Sequence, residues 1–460
     1  MKKGDNRSYT EQLAEFIQDL EYDHLPRNAV DMGKRALLDF LGCALSGYHS
    51  DSSQILLRYL REQGGTPEAS IVITGEKTTC SHAALAHGTM ASSTELDDLQ
   101  PRGGSCHAGE AVIPVVMAVA EKDHKSGKEA IVAIVAGYEA GVRVGAAKTP
   151  EAALKGISGP ALSGPFGAAA AASKLYGLEK KKIGDAFGLC FPQLVPLGAF
   201  KTGVLAKDIK GGLASWLGLF SANLAKEGIE GLKDNLDRRQ DRMGDVLSRI
   251  LGRYEEERIV QDLGEEFEIV QTGFKPFATC GFTHAPLTGV FEILKETPIL
   301  PEDVEKINVR SFKLALEMNN AEPPTSTAAR ISIPYTIACA LVNHSAMPEV
   351  FTEKEIRDPR KRELARKVQV IWDPVYDAEW SEKHGCSVEI VTRGGKIFRK
   401  EVRVMKGHPD LPLTEKEIIE KFERLSIPSL GKQRVRALID KIFSLEELSD
   451  MNDLVRLLHK

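Results

Sequence analysis

Apolar residues recur at helical spacing through most of the first 230 positions. Tyr9-Thr-Glu-Gln-Leu-Ala-Glu-Phe-Ile17 reads as an amphipathic helix with Thr10 as its cap, and residues 29–45 repeat the pattern. Residues 80–90 are mostly small and suit close helix contacts, whereas Val115-Val-Met-Ala-Val-Ala-Glu121 reads as a buried helix. Further helices are expected over 129–146 and 167–176. Near residue 265 the pattern changes: Glu268-Ile-Val-Gln271, residues 304–312, Val368-Gln-Val-Ile-Trp372 and residues 386–392 have strand character. Gly394 and Gly395 separate the last of these from residues 397–404, predicting a hairpin. A buried helix is expected over 334–342. After Pro412 the helical pattern returns, led by the capping box Thr414-Glu-Lys-Glu417. The amphipathic tail can pack back on the first half, which makes the strand-bearing unit of about 130 residues an insertion.

At 460 residues the chain calls for two or three domains. A net charge of -5 gives no support for nucleic-acid or anionic-membrane partners, and no apolar run reaches the roughly 18 residues needed to span a bilayer. The N-terminus has no apolar core of a secretory signal. The seven cysteines are scattered, with no Cys-x-x-Cys pair, which argues for free thiols in a reducing, cytoplasmic setting and against structural zinc. Cys80, His82 and His87 lack the spacing of a helical metal pair. Phosphate loops, dinucleotide fingerprints and nucleophile elbows are missing from the sequence.

Four stretches could carry chemistry. In the first, Glu95, Asp97 and Asp98 close a helix of small residues, and a glycine turn leads to His107. Polar groups between apolar helices are costly to bury unpaired, so acids facing a histidine suggest a proton-transfer site; the alternative is a solvated helix end. Cys106 and His107 are adjacent, so their side chains diverge and make a poor nucleophile–base dyad. The second stretch holds Lys207 and Lys210, three apart and able to share one helix face; surface lysine is the ordinary alternative. The third, residues 273–284, interleaves Lys275, Cys280 and His284 with aromatics and glycines at the expected domain junction, where pockets form but where packing alone can also explain them. The fourth is the Gly/Pro loop around Ser158, which also reads as a plain interhelical connection.

Taken together, the acidic cluster with His107, the Gly164-Pro-Phe-Gly-Ala-Ala-Ala170 run, Lys207 with Gly212, the Lys275–His284 segment and Tyr335 resemble the MmgE/PrpD family. That family includes 2-methylcitrate dehydratase, cis-aconitate decarboxylase and iminodisuccinate epimerase. The resemblance implies a mainly α protein. A helical domain would form from residues 1–268 and 407–460, with an α+β lid inserted over 269–406. It also implies a homodimer, no cofactor, no metal and a small di- or tricarboxylate as partner. The implied activity is dehydration of a hydroxy polycarboxylate by proton abstraction α to a carboxylate. Alternatives are epimerisation, decarboxylation and carboxylate binding without turnover. His107, Asp97, Lys207 and Lys275 would be catalytic, and Glu95, Ser158, Lys210, Cys280 and His284 would bind substrate. The chain departs from the family pattern at Ser158, Lys210, Glu95 and Leu99.

Overall fold

The helical periodicity of the first half becomes a succession of helices buried along their apolar faces: α1 (Tyr9–Asp19), α2 (Arg27–Gly47), α3 (Asp51–Gln63), α4 (Cys80–Ser93), α5 (Gly109–Lys122), α6 (Gly127–Ala146), α7 (Gly159–Leu175), α8 (Lys180–Cys190) and α9 (Lys210–Glu227). The computed structural model describes residues 7–102, 106–148, 156–194, 203–237, 254–380 and 383–459. The glycine turn at 103–105, part of the sequence reading, lies outside them. No helix among the described residues is long and apolar enough to cross a membrane.

The cap of α1 is Ser8 rather than Thr10. The Ser8 hydroxyl accepts from the Glu11 N–H (3.1 Å), and the Glu11 carboxylate accepts from the Ser8 N–H (2.9 Å). Thr10 is buried instead, its hydroxyl donating to Asp237.

Three helices meet where backbones can approach closely. A side chain on Gly88 of α4 would lie 2.7 Å from the Glu110 carbonyl oxygen and 2.8 Å from the Gly212 Cα. α4, α5 and α9 therefore share one dense seam, and the site lies at its edge. α5 contains Pro114, which cannot donate to the Glu110 carbonyl one turn back. The Ser215 hydroxyl of α9 fills that vacancy at 3.1 Å.

Two short antiparallel strands, β1 (Ala69–Ser70) and β2 (Lys77–Thr78), precede α4, and the later strands form a four-stranded mixed sheet in the order β6 (Val368–Trp372), β5 (Val304–Ser311), β7 (Cys386–Thr392), β8 (Ile397–Val402). β5 and β6 are parallel and the other pairs antiparallel; the β7–β8 hairpin is the one expected. Alternate residues of β7 are buried beneath α10 (His284–Glu296). The expected helix over 334–342 appears as Ile333–Asn343. Glu268–Gln271 is not a strand but a single 3-10 turn. The Ile269 N–H donates to the Glu139 carboxylate (3.4 Å) and the Ile269 carbonyl accepts from the Thr272 hydroxyl (2.6 Å), so no ladder partner is needed.

The C-terminal helices α11 (Glu415–Leu430) and α12 (Lys432–Phe443) pack on α2. Buried Lys421 of α11 donates to Asp39 (2.5 Å) and to the Leu96 carbonyl (2.7 Å), and Lys34 of α2 donates to the Phe443 carbonyl (2.9 Å). The two parts of the chain also join through a two-residue ladder, β3 (Asp98–Leu99) against β4 (Gly273–Phe274). Gly407, at φ +93°, accepts there from the Phe274 N–H at 2.9 Å.

Candidate active site

The β3–β4 ladder pairs Asp98 with Phe274, which sets Lys275 beside Asp97. The Lys275 ammonium, 1% exposed, lies 3.1 Å from Asp97 Oδ1 and 4.0 Å from Glu95. On its other oxygen Asp97 meets His107 Nδ1 at 2.8 Å. The same nitrogen lies 2.6 Å from the Asp98 carbonyl oxygen. Two acceptors around Nδ1 keep the proton there, so the lone pair belongs to Nε2. Nε2 has no hydrogen-bond partner among the described residues, and His107 is the partly exposed member of the group.

Burial lowers the His107 pKa; the Asp97 charge opposes this and the Lys275 charge adds to it. Burial alone would raise Asp97, but Lys275 and His107 outweigh it and hold this carboxyl far below its usual range. Neutral imidazole beside a permanent carboxylate is the composition of a general base with its orienting partner.

Two further lysines enter from the turn before α9. Lys207 ends a 3-10 turn (Leu205–Lys207), whereas Lys210 opens the helix, so the two do not share one helix face. Neither is a solvated surface lysine: Lys207 is buried against Glu95, and Lys210 lies 2.9 Å from Glu110. Burial and the neighbouring Lys210 ammonium push Lys207 down, against the opposing pull of Cys280 and Asp208. Burial would also lower Lys210, but Glu110 and Asp97 raise it. Glu95 has φ +56°, a left-handed conformation that costs a side-chain-bearing residue about 1–3 kcal/mol. Beyond the C-terminus of α4, that backbone turns the Glu95 carboxylate toward Lys207.

The structure thus brings Glu95, Asp97, His107, Lys207, Lys210 and Lys275 into one cluster. Cys280 is half-buried and close enough to Lys207 to act on its charge. Ser158 spends its hydroxyl on capping α7, accepting from the Ala161 N–H at 3.4 Å. His284 is fully buried, with Nε2 3.0 Å from the Thr279 carbonyl oxygen and its ring 5.4 Å from that of Phe277. Burial pushes its pKa down to about 3, which favours the neutral ring. Tyr335 is also turned away, donating to the Glu355 carbonyl at 2.8 Å. Cys106 and His107 do diverge: the Ser163 hydroxyl lies 3.0 Å from the Cys106 sulfur.

Sequence reasoning missed Glu110, Tyr138 and Arg330. Glu110 is fully buried, and burial raises it to about 7 against the Lys210 charge. Tyr138 of α6 donates to Asp98 at 2.7 Å. Arg330 donates to the Ser93 carbonyl at 2.9 Å from the α+β side. Neither Glu110 nor Tyr138 is set apart in the sequence, because their helices carry other polar residues such as Glu121, Glu139 and Arg143.

Asp97, Asp98 and His107 offer metal-ligand atoms within 4.8 Å of one another. The donors fit an ion poorly. Lys275 already lies 3.1 Å from Asp97, and the Asp98 carboxylate accepts from the Gly109 N–H (3.1 Å) as well as from Tyr138.

Among protein families, the MmgE/PrpD N-terminal domain matches residues 11–250 and the MmgE/PrpD C-terminal domain matches residues 277–445. The chain is similar to the cis-aconitate decarboxylase of Aspergillus terreus (strain NIH 2624 / FGSC A1156), 26% identical with 98% of this chain and 96% of the relative covered. It is likewise similar to the cis-aconitate decarboxylase-like protein oryM of Aspergillus oryzae (26%; 98% and 97% covered) and to the cis-aconitate decarboxylase of Homo sapiens (26%; 98% and 95% covered). The matched domains span the strand-bearing region and, Lys275 excepted, the residues of the lysine–carboxylate cluster, and the chain belongs to the MmgE/PrpD family.

Proposed function

We propose that this protein is a cofactor-independent lyase that dehydrates a small hydroxy polycarboxylate of the 2-methylcitrate type. The gathering of three lysines around the His107–Asp97 pair, Lys275 on Asp97 itself and Lys207 and Lys210 on the neighbouring Glu95 and Glu110, carries this reading. Removing a proton α to a carboxylate builds enolate-like charge, which needs cations already in place. Lys275 and Lys207 supply them, with Lys210 as a third anchor. His107 Nε2 takes the proton from carbon, the C–H electron pair becomes the C=C bond, and the C–O bond breaks. Lys207, its ammonium made acidic by burial and by Lys210, gives its proton to the departing hydroxyl, which leaves as water. The enzyme acts as a cytoplasmic homodimer, with the α+β region closing over the site as a lid. Light scattering should then return twice the 50.3 kDa chain mass.

A second reading, decarboxylation, is favoured by the names of the relatives. The departures from the family pattern at Ser158 and Lys210 rank dehydration first. The purified protein should be incubated with citrate-like hydroxy acids, cis-aconitate and aminodicarboxylates. Dehydration gives rising absorbance from a new C=C bond with no carbon dioxide. Carbon dioxide from cis-aconitate would establish the second reading in its place. Deuterium exchange at one carbon without a new double bond would mark an epimerase, and binding without turnover across the panel would sink the enzyme reading.

A further inference from the structure

We propose that Asp98 is a positioning residue for His107, holding the imidazole at the angle from which Nε2 meets substrate; this rests on the reading of His107 as the base. Asp97 and Asp98 are adjacent, and at the start of a strand successive side chains point to opposite faces. Asp97 therefore turns toward Lys275 and His107, while Asp98 turns to α6 and the start of α5. Its carboxylate accepts from the Gly109 N–H at 3.1 and 3.3 Å and from the Tyr138 hydroxyl at 2.7 Å. Its main-chain carbonyl lies 2.6 Å from His107 Nδ1.

One residue thus grips both ends of the segment that carries the base. The Gln100 N–H donates to the Cys106 carbonyl at 2.9 Å, a second clasp on the same segment. His107 lies between the two clasps, and the Asp98 grip holds its ring in register with Asp97, which meets the same Nδ1 at 2.8 Å. The β3–β4 ladder fixes the Asp98 main chain from the other side. The remaining clasp and the Ser163–Cys106 contact keep the segment folded when the Asp98 carboxylate is removed.

The test uses the full chain with Asp98→Asn, Tyr138→Phe and His107→Gln, singly and combined. In Asp98→Asn kcat should fall ~10–100-fold, the usual scale for a group acting through another, with KM changed less than about 3-fold. Added to His107→Gln, the same change should cost nothing further. Proton NMR supplies a readout that needs no turnover. The His107 Nδ1 proton should give a downfield resonance in the unaltered protein, missing in His107→Gln and broadened away in Asp98→Asn. If Asp98→Asn does not fold, Tyr138→Phe should show the same pattern at smaller size. Losses that multiply in the His107→Gln background, or an unchanged resonance in Asp98→Asn, would overturn the proposal. If no compound of the panel is turned over, the function reading fails while the resonance still decides this one.

Discussion

His107 can serve as a base only if it is neutral, and its neighbours set the pH at which that holds. Burial lowers its pKa, so the acid limb of kcat/KM should fall below pH 6.5, with activity rising as pH climbs through it. The alkaline limb follows loss of the Lys207 proton, which burial and Lys210 pull down to about 7. Lys207→Arg should move that limb up beyond the measurable range, because guanidinium keeps its proton; a limb that stays in place would assign it elsewhere. His107→Ala should lower kcat by roughly 10²–10⁴ in a folded protein. Near-normal kcat with a reduced Tm would instead make His107 a packing residue. Activity should survive exhaustive chelation, and its return on adding one divalent ion after loss would reverse that assignment. At this scale the sequence exposed His107, Asp97, Lys207 and Lys275 as polar groups stranded among apolar or glycine-rich residues. It did not expose Glu110, because a carboxylate in a helix acquires meaning only from Lys210, which arrives 100 residues later. The full burial of His284 was not legible, because a histidine beside a site and a histidine packed behind it have the same sequence.

At the scale of elements, the site depends on how closely α4, α5 and α9 approach. Gly88→Ala places a methyl 2.7–2.8 Å from backbone atoms of Glu110 and Gly212, and neither can move without shifting a helix. A stability loss of about 1–3 kcal/mol in denaturant melts, with lower kcat, is expected. Wild-type stability there would mean that the seam is looser than described. Ser215→Ala leaves the Glu110 carbonyl without its hydroxyl partner and should cost about 1–3 kcal/mol. The β7–β8 hairpin and the Thr414 cap were legible because a Gly-Gly turn and a capping box act within a few residues. The 3-10 turn at Glu268–Gln271 was not, because a short run with two β-branched residues, Ile269 and Val270, fits a strand equally well. The cap of α1 slipped by two residues for a similar reason: Ser8 and Thr10 are equivalent in kind, and the tertiary contact with Asp237 claims Thr10.

For the whole molecule, buried ionisable groups tie stability to pH. His87 accepts from the Val72 N–H at 3.2 Å, and burial pushes its pKa to about 4. Its contribution is complete above pH 6.5 and is lost as pH falls toward 4, at up to about 1.4 kcal/mol per unit. His87→Asn should therefore be least favourable relative to the natural chain near pH 7 and recover toward pH 4.5; a constant difference would contradict the depressed value. The return of the C-terminal helices onto α2 was legible only as an amphipathic tail, since its anchor, Lys421 on Asp39, spans nearly the whole chain. The lysine pairing has a consequence for binding. Each of Lys207, Lys210 and Lys275 already faces a carboxylate of the protein itself, so an arriving polyanion meets a balanced site and brings surplus negative charge. Asp98 and Glu110, both raised to about 7 chiefly by burial, are the groups ready to absorb it by taking up protons. Ligand capture should then draw hydrogen ions from solution. Titration calorimetry in buffers of different ionisation enthalpy would read that uptake as a heat that changes with the buffer while the affinity does not.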